Sequence, residues 1–136
     1  MRRLGLAALL ALAAAAPAAA FGPATNYVIQ CQGCHLDDGS GTPGKVPALA
    51  GSMAQFLRVP GGRDYLGRVP GVANAQLADA DLADLLNWAL RRFDGTGVPA
   101  DFRPYTAGEI HRLRAQPLVD VQSARRALLE ALGRAR

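Results

Sequence analysis

Cys31-Gln32-Gly33-Cys34-His35 constrains this chain more than any other stretch. On a helical turn, residues three apart share a face, so the Cys31 and Cys34 thiols point the same way. Histidine follows the second thiol at once. Thiols at that spacing reach the two vinyl groups along one edge of a heme, and the next residue turns its imidazole to the iron. The chain holds two cysteines in all, so neither is spare for another task.

Other chemistries use the same residue types. A redox-active or disulfide pair is one, but no βαβ pattern surrounds the motif and His35 would then have no role. A zinc site could draw on Cys31, Cys34, His35 and His111, yet the adjacent ligands Cys34 and His35 suit a tetrahedral site poorly. The reading retained is one heme c, covalent through Cys31 and Cys34, with His35 on its iron.

The N-terminus agrees. Met1-Arg2-Arg3 is a basic start, Leu4 to Ala16 is unbroken apolar sequence, and Ala18-Ala19-Ala20 offers a small-residue cleavage site before Phe21. Residues 1–20 therefore read as a signal peptide and predict export across the inner membrane to the periplasm. The alanine-rich run falls short of the ~20 strongly apolar residues of a spanning helix, and no stable membrane insertion is expected after cleavage. What remains suits one small domain with a thin core, which a heme would fill. The formal charge is +4, of which Arg2 and Arg3 supply two. Two heme propionates offset most of the rest, so the basic balance gives no argument for nucleic acid, and no motif suggests it.

Further along, Pro23 to Gly33 predicts a helix leading into the motif, and Leu36 to Pro47 a Gly/Asp/Pro-rich loop. Ser52 to Arg58 predicts a short helix with Ser52 as N-cap. Asp64 to Arg68 predicts another turn, ended by Val69-Pro70-Gly71. The strongest periodic stretch is Ala80 to Phe93. There Leu82, Leu85, Leu86, Ala89 and Phe93 repeat as one buried helix face. Asp79 and Asp81 suit its start, Arg91 and Arg92 its end, and Gly95 reads as its stop. Strand signals are weak throughout, so the class is all-α.

These residues resemble the monoheme, class I-type cytochrome c family. The attachment motif carries the resemblance, supported by Tyr27, by Pro47-Ala48-Leu49-Ala50-Gly51, and by Leu77 to Trp88 as the last core helix. The match runs from about Pro23 to Phe93. It implies a small helical fold wrapped around one covalent heme, with a cytochrome domain over 21–95 and a helical extension over 96–136. It also implies that the Pro47 carbonyl orients His35, and that Leu49, Phe56, Leu85 and Trp88 are pocket or core residues.

One departure matters. The family usually places an iron-binding methionine before the last core helix, where this chain reads Arg68-Val69-Pro70-Gly71-Val72-Ala73-Asn74. After cleavage Met53 is the only thioether left. It is thus the candidate second metal ligand beside His35, although a gap-filling role in the core competes with ligation. His111, Asn74, water or an open position are the other options.

The resemblance implies an electron carrier that shuttles between ferrous and ferric iron and exchanges electrons with redox partner proteins. On this reading the chain performs no bond-making catalysis of its own. An open or unusual sixth position implies instead a small-ligand-binding or weakly catalytic heme protein. Residues 101–136 hold seven basic and four acidic groups. That tail reads either as a docking surface or as a strap whose arginines are merely solvated. Within it, Thr106 to Glu109 forms a capping box, and Asp120 can cap a last helix lined by Val121, Ala124, Leu128 and Leu132.

Overall fold

The computed structural model describes residues 21–135, so the signal peptide expected over 1–20 lies outside the described residues. Within them the chain is helical, with one isolated bridge between Thr42 and Val46 and no strand. The all-α expectation is met.

Helix α1 (Pro23–Gln30) starts with proline in its first turn, where the missing N–H costs nothing. It breaks at Cys31, whose φ of −126° leaves the helical range, and α2 (Gln32–His35) follows as a single turn. After the loop, a 3-10 turn (Ala54–Arg58) leads to α3 (Gly62–Arg68) and α4 (Pro70–Ala73). Helix α5 (Asp79–Asp94) is the long central element, continued by a 3-10 turn (Gly95–Gly97). The extension supplies α6 (Ala107–Arg114) and α7 (Val121–Arg134).

One local expectation is corrected. Ser52 does not cap a helix. Its hydroxyl turns back to the Ala48 carbonyl, and Met53 stands at the 3-10 cap position without a side-chain bond. Helix α3 does end at Arg68, as Val69-Pro70-Gly71 predicts, and Pro70 then opens the separate turn α4, because proline is tolerated at a first helical position. Helix α5 ends at Asp94 with Gly95 just beyond, as expected, although Gly95 keeps a right-handed conformation, φ −57°, and the chain runs on into the 3-10 turn.

Burial follows the periodicity of α5: Leu82, Leu85, Leu86, Ala89 and Phe93 all face inward. Helix α1 crosses α5 through Tyr27, whose ring lies 5.6 Å from Trp88 and 4.8 Å from Phe93. The extension joins the same core, with Tyr105, Ile110 and Leu132 buried alongside these residues. Buried Asn87 on α5 donates to the Tyr105 carbonyl at 2.9 Å and accepts from its N–H at 2.8 Å.

Charged groups complete the attachment of the extension. Arg63 on α3 grips Glu109 on α6 through two bonds, 2.6 and 2.8 Å long. Thr106 accepts from the Glu109 N–H as the expected capping box requires, and the Thr106 backbone N–H in turn helps hold the Glu109 carboxyl low. Arg114 on α6 donates to the carbonyls of Ala73, Ala75 and Leu77 and to the Asp79 carboxylate, tying down the segment between α4 and α5.

The Arg63 bond holds the Glu109 carboxyl below its ordinary value of 4.5. A depressed carboxyl contributes stability above its unfolded pKa and loses it as pH falls through the lower folded value. Glu109→Gln is therefore expected to be about 1 kcal/mol less stable than the parent at neutral pH, the upper end for a partly screened pair. Denaturant midpoints should converge as pH drops well below 4.5. A gap that persists in acid would show that the ion pair is not its source.

Candidate functional site

The site grows from the break between α1 and α2. Leaving the helix at Cys31 aims its carbonyl at the next turn, where it accepts from the N–H groups of Cys34 and His35 at 3.1 and 2.9 Å. Cys31, Cys34 and His35 are thereby brought onto one wall of an apolar cavity of about 320 Å³. That lies within the ~300–1,000 Å³ range of small-molecule and cofactor sites. Two shallower grooves, along α7 and beside Trp88, carry neither thiol nor ligand imidazole.

His35 Nδ1 lies 3.1 Å from the Pro47 carbonyl oxygen. A carbonyl can only accept, so Nδ1 carries the proton and Nε2 keeps the lone pair that binds a metal. Burial pushes the imidazole below its usual 6.5 despite the pull of that carbonyl, which keeps the ring neutral. This is how proteins orient a metal-binding imidazole and raise its basicity.

The loop delivers Pro47 by folding tightly on itself. Gly41 donates to the His35 carbonyl at 3.1 Å, and the Leu49 N–H returns to Gly39 at 2.7 Å. Gly41 has φ +69°, and a Cβ there would sit 2.5 Å from the Val46 oxygen and 2.8 Å from the Pro47 oxygen. Glycine at 41 is thus part of the histidine support, a role that sequence pattern alone did not reveal.

The other chemistries fit less well. Burial, reinforced by Cys34, pushes the Cys31 thiol up to about 11. A redox-active pair needs the opposite shift. Among the described residues no three His, Cys, Asp or Glu side chains gather to hold an ion. His111 stays apart from the motif on α6, its Nδ1 2.9 Å from Asp79 and its side chain 75% exposed.

The remaining walls are largely apolar. Leu49, Phe56 and Leu85 line the cavity, whereas Trp88 packs behind it on Tyr27 and Phe93. Val69, Pro70, Gly71, Val72 and Ala75 border it from α4 and the following turn, while Asn74 is exposed and outside the lining. Met53 is buried and lines the cavity. Its N–H returns to the Leu49 carbonyl, so the segment that presents Pro47 also presents the thioether. Val121 and Arg125 reach the cavity from α7. Sequence reasoning placed Val121 only on the inner face of its helix and gave no signal for Arg125.

Two curated relatives align with the chain. Both are cytochrome c-552 of Thermus thermophilus, the second from a defined strain of that organism, each 36% identical over 111 residues. The alignments take in 68% of this chain and 85% and 75% of the relatives. The 111 aligned positions exceed what 68% of 136 residues supplies, so the relatives hold residues inside the matched span that this chain lacks. No family model matches the chain.

Proposed function

Because the chain belongs to the class I-type cytochrome c family, we propose that it is a periplasmic single-heme electron carrier. One observation carries the reading: the Pro47 carbonyl, 3.1 Å from His35 Nδ1, holds an imidazole on the wall that also bears the two thiols. These residues fit a heme c. Cys31 and Cys34 would tether it, His35 would bind its iron, and the apolar walls would exclude water. When bound, the group supplies a ferrous/ferric couple, whose potential the axial ligands and nearby dipoles set.

Cys34 is exposed, and so are Val28, Ile29 and Leu36, which flank the attachment motif in sequence. Apolar residues flanking the attachment turn give redox partner proteins a surface for close approach. Among the described residues no helix is long and apolar enough to cross a membrane. The leader pattern of residues 1–20 supports export to the periplasm. Residues 96–136 act as a strap over the core, a reading that the Asn87, Arg63 and Arg114 contacts support.

A second reading has its own observation. Val69 to Val72, where the family usually places its methionine, offers no metal ligand, and Met53 shares its turn with the His35 acceptor. An iron held by His35 alone would bind small ligands such as carbon monoxide on its other face. The ferric and carbonyl-exposed ferrous spectra of the purified protein separate the two readings. A low-spin spectrum indifferent to carbon monoxide supports the carrier, and a high-spin, responsive one the ligand binder. On the carrier reading Met53 is the sixth ligand, so Met53→Leu, a swap costing less than ~1.5 kcal/mol, should convert the ferric spectrum from low to high spin. A spectrum unchanged by the swap would remove Met53 as a ligand.

A further inference from the structure

Among the residues lining the cavity one lasting cation stands out, Arg125 on α7. Its guanidinium carbon lies 5.3 Å from the centroid of the Phe56 ring, and Phe56 lines the same cavity. Every ion pair formed among the described residues uses Arg63, Arg114 or His111, so Arg125 has no carboxylate partner there. Its neighbour Arg126 points elsewhere, with Nη2 3.1 Å from the Ser123 hydroxyl. A half-buried cation beside an apolar space is disfavoured unless an anion comes to meet it.

Heme brings that anion, since the edge opposite its thioethers carries two carboxylates. Resting on the heme reading above, we propose that Arg125 pairs with a carboxylate of the bound cofactor. The C-terminal extension is then part of the redox site rather than only a strap. A fixed positive charge near the iron opposes the extra charge of the ferric state, so Arg125 raises the reduction potential.

Midpoint potentials of the holoproteins Arg125→Lys, Arg125→Gln and Arg125→Glu test this, with Arg126→Glu as a control. The lysine variant should stay near the parent. The glutamine variant should fall below it, and the glutamate variant should fall roughly twice as far, since its charge change is doubled. Arg126→Glu, an equal change on an exposed neighbour, should move the potential much less through screening by solvent and salt. Far-UV circular dichroism reports whether each variant folds. If Arg125→Glu does not fold, Arg125→Gln against Arg125→Lys decides alone.

Equal potentials across the Arg125 series, or a shift from Arg126→Glu as large as that from Arg125→Glu, would overturn the pairing while leaving the heme reading intact. A parent protein made with a working maturation system yet free of heme would overturn both.

Discussion

Replacing Cys31 and Cys34 together by serine should yield a protein without covalent heme and without a cooperative unfolding transition. Both losses come from one cause. The walls of the cavity, among them Leu66, Leu82, Leu85 and Leu86, are core residues that face a space of about 320 Å³. At ~24 cal/mol per Å³ of void, an empty space of that size costs up to roughly 8 kcal/mol. The whole stability of a small domain is about 5–15 kcal/mol. Serine can form no thioether, so the group that fills the space would be held by His35 and packing alone. Intact mass after denaturation and thermal melts by circular dichroism check the outcome. A double variant that keeps the heme mass and a sharp melt would refute the tethering roles of both cysteines.

Gly41→Ala is expected to strike stability and redox chemistry together. Alanine at φ +69° costs about 1–2 kcal/mol of backbone strain. Its methyl must also displace the Val46 and Pro47 carbonyl oxygens, which lie 2.5 and 2.8 Å from where it would stand. Forced displacement in a packed region adds roughly 1–3 kcal/mol, for a total near 2–5 kcal/mol. The Pro47 carbonyl is the acceptor of the His35 Nδ1 proton. Pushed away, it no longer strengthens the imidazole as a donor, ferric iron loses support, and the reduction potential should rise.

Gly44→Ala is the control. It shares the positive φ, +73°, but has open space around the new methyl. It should show the strain alone, with an unchanged potential. Denaturant midpoints and redox titrations of the two variants decide the matter. Identical behaviour would mean that crowding at Pro47 is not what Gly41 prevents.

Helix α5 was legible because its information is repeated: a buried residue every three or four positions, acids at one end and arginines at the other. Asp120 and Thr106 were legible as caps because each bonds an N–H three residues on. Ser52 misled for the opposite reason. It precedes an apolar run as a cap would, yet its hydroxyl found the Ala48 carbonyl, which the preceding turn brings close. Pro70 carries two meanings, helix stop and helix start, and here it has both: α3 ends at Arg68 before it and α4 opens on it.

By itself the sequence determined whatever one helical turn or one covalent spacing can hold: the attachment motif, the amphipathic central helix, the caps of the extension. It also made the meeting of His35 with Pro47 an expectation through family resemblance. Tertiary structure alone decided that Gly41 leaves room for that meeting, that Glu109 serves Arg63, that Arg114 ties the turn before α5, and that Arg125 faces the cavity. Local preferences act over a few residues of backbone and can be read as a pattern. Those other contacts join side chains to groups far along the chain, and no periodicity encodes which distant partner packing will supply.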